Sequence, residues 1–100
     1  MSAVKPAITQ KDLKNLLEQL SRMQRDKDRV RLVSVAAESF SFTTAQVLEL
    51  VDAQTFGDAR NQTAILTHPR LTDPENFEKV VLASFKFKED QAEIKESLGL

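Results

Sequence analysis

Thr43-Thr44-Ala45-Gln46-Val47 reads as the opening of a capped helix, and Asp73-Pro74-Glu75-Asn76-Phe77 reads as a second opening about 30 residues later, within the range of helical repeats. In the first, the Thr43 hydroxyl can accept from the third helical N–H while Gln46 reaches back to the N–H of Thr43. In the second, Asp73 stands at the cap with proline at the first helical position, where the donor that proline lacks would be an orphan anyway. Arg29, in Asp28-Arg29-Val30, likewise recurs at Arg60, at nearly the same offset. A period of this length belongs to helical repeats, in which one hairpin cannot bury its own apolar face and leans on its neighbour. The competing reading is that any two amphipathic helices align this well, because leucine and valine recur at helical spacing.

Outward from these openings the chain divides into helices. The Thr43 box predicts a helix over about 44–54, with Val47, Leu48, Leu50 and Val51 inward and Glu49 and Asp52 outside. Upstream, Thr9 fits a cap, Ile8 and Leu13 a hydrophobic staple, and Leu13, Leu16, Leu17, Leu20 and Met23 an apolar stripe over 9–23. A second helix, with Asp26 available as its cap, runs to about Ser39 and carries Val30, Val33, Ala36, Ala37 and Phe40 on one face. Downstream, Gly57-Asp58 starts a helix that must stop near Thr67, because Pro69 disfavours the α conformation at His68. Pro74 opens another to about Ser84, and a last one from about Lys88 ends at Leu98-Gly99, where glycine suits the left-handed position. Residues 1–8 read as a flexible tail and 9–100 as a single helical domain. Leu16, Leu17 and Leu20 precede Val47, Leu48 and Val51 by the offset that separates Arg29 from Arg60, so the first helix counts as half a repeat. The expected fold is all-α: five or six antiparallel helices in a short stack of helical hairpin repeats.

Composition narrows the function classes. One hundred residues suffice for one core without a separate substrate domain. Fourteen basic and 15 acidic side chains give a net charge of −1, which lacks the cationic field that nonspecific nucleic-acid or anionic-membrane binding needs. With no cysteine there is no disulfide framework, thiol nucleophile or cysteine-based zinc site. The first seven residues lack the pattern of a secretory signal, and no run approaches the roughly 20 apolar residues that span a bilayer. The expectation is a soluble protein, with a cytoplasmic location favoured.

Few side chains invite chemistry. Arg29 projects into the apolar arc of the second helix, where a charge is costly unless paired. Its planar fork can bond orphan carbonyls at a neighbouring helix end, or a carboxylate such as Asp52 or Glu49, while its stem packs. Arg60 occupies the equivalent turn and Gln91 follows at the same spacing; the alternative role for the arginines is recognition of an anion by the pair. Arg22, Arg25, Lys27 and Arg31 form a candidate basic patch, but Asp26 and Asp28 sit among them and no aromatic is interleaved for base stacking. His68, the only histidine, has no second ligand for zinc and no nucleophile to serve. Asp26 and Asp28 lack the glycine turn and distal glutamate of a calcium loop. Glu89, Asp90, Glu93 and Glu96 recur at the spacing of a wet helix face. In Phe85-Lys86-Phe87 both rings read as core.

The segments Asp28-Arg29, Phe42-Thr43-Thr44-Ala45-Gln46-Val47, Phe56-Gly57-Asp58-Ala59-Arg60, Leu71-Thr72-Asp73-Pro74-Glu75-Asn76-Phe77 and Phe85-Lys86-Phe87 together give a resemblance to the "domain of unknown function 4476" family over about residues 22–98. The chain departs from the family pattern at Ala59, where an acidic residue is more usual. The resemblance implies an all-helical domain, often attached to larger proteins, with no assigned activity or cofactor. No catalytic constellation accompanies it, so the expected function is a non-enzymatic protein-protein interaction module, monomeric, without cofactor, nucleic acid or membrane insertion. The alternatives are a self-association domain of a larger assembly and a phosphate or phospholipid-binding module built on the Arg22–Arg31 cluster.

Overall fold

The computed structural model describes residues 5–100. Six α-helices follow one another: α1 Gln10–Arg22, α2 Asp26–Ser39, α3 Thr44–Asp52, α4 Gly57–Thr67, α5 Phe77–Val80 and α6 Lys88–Leu98. The fold is all-α. Helices α1, α3 and α5 pack side by side in one row and α2, α4 and α6 in another, with α4 also seated on α3. Two such layers account for a body 37 × 33 × 20 Å, since packed helix axes lie about 8–10 Å apart.

Within each row the helices run parallel. At one edge the segments entering α1, α3 and α5 are laced together as an extended ladder. Ser41 N–H donates to Pro6 O at 2.8 Å, Ile8 N–H to Ser41 O at 2.9 Å, Phe42 N–H to Arg70 O at 2.9 Å and Thr72 N–H to Phe42 O at 2.8 Å. This ladder corrects the expected tail over residues 5–8, because Ile8 is also buried in the core; residues 1–4 lie outside the described residues. The opposite edge holds the starts of α2, α4 and α6.

Local signals explain most of the helix ends. Thr9 accepts from the Asp12 N–H at 3.1 Å, and the Thr43/Gln46 box closes in both directions at 2.9 and 3.2 Å. Gly99 sits at φ +72°, and the Leu100 N–H reaches back to Lys95 O. Two expected caps act elsewhere. Asp26 is the first residue of α2 and makes no cap for it, and Asp73 turns from its own helix to accept from the Thr44 N–H and hydroxyl, both at 2.8 Å. The helix expected from Pro74 to Ser84 is correspondingly broken into a 3-10 turn at Pro74–Asn76, the single α turn of α5 and a second 3-10 turn at Leu82–Ser84. With Asp73 drawn away to α3, no side chain caps this start.

Phe42, Phe77, Leu20, Leu50, Val33, Val47, Val51, Val81 and Ile94 form the floor of the core. Helix α4 lies between α2 and α6 and buries small or polar side chains: Ala59, Asn61, Thr63, Ala64 and Thr67. Small residues let its neighbours approach. The buried hydroxyls of Thr63 and Thr67 are satisfied within the helix by Ala59 O and Thr63 O, each at 2.8 Å.

Candidate functional site

The edge that gathers the starts of α2, α4 and α6 carries the charged and aromatic side chains of interest. Their cap positions are Arg25, Phe56 and Phe87, evenly spaced at the interval between Arg29 and Arg60, and none makes a side-chain cap bond. Arg29 lies one turn into α2. Its guanidinium donates to Leu20 O at 3.1 Å, which also accepts from the Met23 N–H, and to Met23 O, both at the end of α1. It also donates to Asp26 Oδ1 at 2.6 Å and Thr55 Oγ1 at 3.1 Å. Asp26 in turn accepts from the N–H groups of Thr55 at 2.9 Å and Phe56 at 2.7 Å, so one ion pair ties α1, α2 and the start of α4. The pair is almost covered, with Arg29 and Asp26 side chains 12% and 11% exposed. Burial pulls the Asp26 pKa upward, but the Thr55 and Phe56 N–H bonds and the Arg29 guanidinium outweigh it and hold the carboxyl below its ordinary 3.8.

Arg60 takes a different course. Its closest carboxylate is Asp52 at 3.5 Å, itself well exposed, and its guanidinium carbon lies 5.7 Å from the centre of the Phe85 ring. Both arginines therefore reach a neighbouring helix, Arg29 through α1 carbonyls and a nearly covered ion pair, Arg60 through a longer, exposed pair with Asp52 of α3. At the third equivalent position Gln91 donates to Phe85 O at 2.7 Å, six residues back, the same offset as Arg29 to Met23. Between the starts of α4 and α6 lies a cleft of about 370 Å³ lined by Gly57, Arg60, Ser84, Phe85, Lys86, Phe87 and Asp90.

The remaining candidates are spread out. Arg22, Arg25, Lys27 and Arg31 are all exposed, and among the described residues none makes an ion pair. His68 ends α4 with its ring edge-on to Phe77 at 4.7 Å, and burial lowers its pKa from 6.5. Asp90 and Glu93 share the amide N–H₂ of buried Asn61 at 3.1 and 2.7 Å. Among the described residues no group of three potential metal ligands comes together, and no helix is long and apolar enough to cross a membrane.

Several contributors lay outside the sequence reading. Arg70 donates to Ala37 O at 2.6 Å and so closes the end of α2 as Arg29 closes α1. Phe85 is core as expected, but Phe87 is 66% exposed, which corrects the reading of both rings as buried; Phe56 is 71% exposed. Both phenylalanines stand at helix caps, where side chains leave the packed face. A groove of about 830 Å³ runs between α1 and α3 past Leu13, Leu17, Lys14, Glu18, Gln46 and Glu49. None of the large exposed apolar side chains projects there, whereas two of the five stand at the α4–α6 edge.

The match of a family model over residues 7–98 fits this all-helical body. The chain belongs to the family described as Domain of unknown function (DUF4476). A putative uncharacterized protein of Dictyostelium discoideum is 54% identical over 33 residues, 33% of this chain and 79% of that protein. No solved structure matches the chain.

Proposed function

We propose that this DUF4476 domain is a non-enzymatic protein-interaction module that receives a segment of a partner protein at the starts of α4 and α6. The observation that carries the reading is the pair of exposed rings at this edge, Phe87 at 66% on the wall of the cleft that contains Arg60 and Phe56 at 71% next to Gly57 of that wall. Aromatic and arginine side chains are the residues that dominate binding energy at protein interfaces, because they remove large apolar area from water at little conformational cost. Two phenylalanines held at adjacent helix caps contribute nothing to the core that would explain them. The hairpins are read as true repeats: bonds between Asp26 and Phe56, Thr44 and Asp73, and Phe42 and Thr72 each join residues 29 or 30 apart, as stacked copies require.

The test uses the intact domain as bait beside a Phe56→Ala/Phe87→Ala double variant. Both rings are exposed, so the variant keeps the parent's urea midpoint. Specific partners are recovered by the parent and lost by the variant; equal recovery by both overturns the reading. The module acts as a monomer, with a light-scattering mass near 11.3 kDa at tens of micromolar. A stable dimer dispersed by the same double variant would assign the edge to self-association instead.

A further inference from the structure

The edge carries one construction twice, filled in the first copy and open in the second. In the first, the Asp26 carboxylate is received by two consecutive backbone N–H groups at the start of α4, Thr55 on Oδ1 and Phe56 on Oδ2, and by the Arg29 guanidinium on Oδ1. Consecutive amides ahead of a helix, together with a guanidinium, suit a planar two-oxygen anion. Advancing each participant by one repeat, the step from Arg29 to Arg60, gives Gly57 for Asp26, Lys86 for Thr55 and Phe87 for Phe56. The arginine and both amide positions are kept, while the carboxylate and the Thr55 hydroxyl have no counterpart.

Each part of the second copy stands open. Among the described residues the N–H groups of Lys86 and Phe87 have no protein acceptor. A Cβ added at Gly57 would meet nothing within 4 Å. Gly57, Arg60, Lys86 and Phe87 line the same 370 Å³ cleft. Asp90, on its wall, is already engaged by Asn61, and Arg60 is held only by an exposed carboxylate 3.5 Å away and by a ring face.

We infer that the cleft between α4 and α6 is a carboxylate-binding slot, filled by an acidic residue of the partner segment in the place that Asp26 occupies one repeat earlier. This rests on the interaction reading above and names what the interface selects. Lys86 adds an ammonium where the first copy has a threonine, and Phe56 and Phe87 cover the apolar neighbours of the acid. Asp52 and Asp90 beside the cleft disfavour a phosphate dianion, so the slot selects a single negative charge.

The test needs no partner. The full chain, labelled for amide NMR, is titrated with N-acetyl-phenylalaninate, with N-acetyl-aspartate α-amide, with N-acetyl-phenylalanine amide and with inorganic phosphate. The expected result is saturable movement of the Lys86 and Phe87 amide signals with the two carboxylates and not with the neutral amide; a preference between the two distinguishes a chain-terminal from a side-chain acid. Phosphate binding more tightly than either carboxylate overturns the class of ligand. Gly57→Asp supplies the acid from within, so it abolishes the carboxylate response, whereas Gly57→Asn leaves it. The aspartate variant also has a higher urea midpoint than the asparagine variant at pH 7, and the difference disappears near pH 3. Shifts that are scattered or shared by the neutral amide, an unchanged response in Gly57→Asp, or equal midpoints for the two variants would sink the slot. The Phe56/Phe87 reading would survive such a failure, because partner capture tests it separately.

Discussion

The first and second hairpin junctions share the arginine, Arg29 in one and Arg60 in the other, and use it for different ends. At the α1–α2 junction Arg29 has a carboxylate, a hydroxyl and two carbonyls around it, and the cluster joins three helices. At the α3–α4 junction glycine replaces the acid, so Arg60 has no buried carboxylate to hold it and turns to the Asp52 side chain and the Phe85 ring. The acid at the start of α2, with the Thr55 hydroxyl beside it, makes the first junction a stabilising tie, and neither has a counterpart at the second. Two arginines at similar places in successive helices need not share the work of stability equally, because the partners each one finds decide its load.

The sharpest way to break this comparison is to remove each arginine. Arg29→Ala strips a nearly buried ion pair, leaves the Met23 carbonyl without its guanidinium donor and loses stem packing, at a cost of about 2–3 kcal/mol. Arg60→Ala loses an exposed pair and one ring contact, at a cost below about 1 kcal/mol. Urea unfolding followed by helical circular dichroism measures both. Equal losses would mean that the two junctions carry the same load and that the difference in geometry has no energetic meaning.

Asp73 offers a smaller test at the other edge. Its carboxylate accepts from the Thr44 N–H and hydroxyl and from Asn76, so Asp73→Ala is expected to cost about 1–2 kcal/mol, more than the loss of an ordinary exposed cap. Thr44→Val removes only the hydroxyl and costs less. If the two variants cost the same, the amide bond to Asp73 contributes nothing.

Acid should undo the two edges in stages. Asp26 and Asp73 both titrate below 3.8: burial raises each, and hydrogen bonds, chiefly Thr55 and Phe56 for the one and Asn76 and Thr44 for the other, more than reverse it. Depressed carboxyl values mean that their stabilisation is complete above the unfolded value of 3.8 and is lost as pH falls through the folded ones. His68, lowered by burial, behaves likewise around 6.5, because the unfolded chain takes up the proton first. The urea midpoint therefore declines gently below pH 6.5 and steeply below pH 4. His68→Gln removes the first step, Asp26→Asn reduces the second, and an Asp26→Asn profile parallel to the parent's would remove the carboxylate from the account of the first junction.

How far these features could be read from residues depends on the range of the interaction. The Thr43/Gln46 box, the Thr9 cap and the Gly99 ending are decided within four residues, and the sequence placed them correctly. Arg29 was legible as a charge in an apolar arc that had to find carbonyls or a carboxylate. Asp26 and Asp73 look like local caps in sequence, where only near neighbours offer partners; both reach residues 29 or 30 positions away, and that choice follows from tertiary packing. The exposure of Phe87 runs against the reading of Phe85-Lys86-Phe87 as two core rings, because hydrophobicity alone does not register that Phe87 stands at the cap of α6. The cleft itself is defined by the acid missing at Gly57, and an absence is visible only beside its filled counterpart.

The smallest expected effect belongs to the basic patch, which adjoins the filled junction without taking part in it. Arg22, Arg25, Lys27 and Arg31 are exposed and make no ion pair among the described residues, so single alanine substitutions at Arg22 or Arg25 should change stability by less than about 0.5 kcal/mol. Their charges are also diluted by Asp28 and by an overall net charge of −1, and no exposed aromatic lies within the cluster itself. Binding to RNA, DNA or anionic vesicles should accordingly be undetectable near physiological salt, since counterion release needs several cations acting on one polyanion. A micromolar complex that weakens steeply with salt and disappears in Arg22→Ala/Arg25→Ala would shift the recognition surface from the open second junction to the outside of the first. Arg29 would then serve two ends at once, holding α1 to α2 while aligning the cations on either side of it.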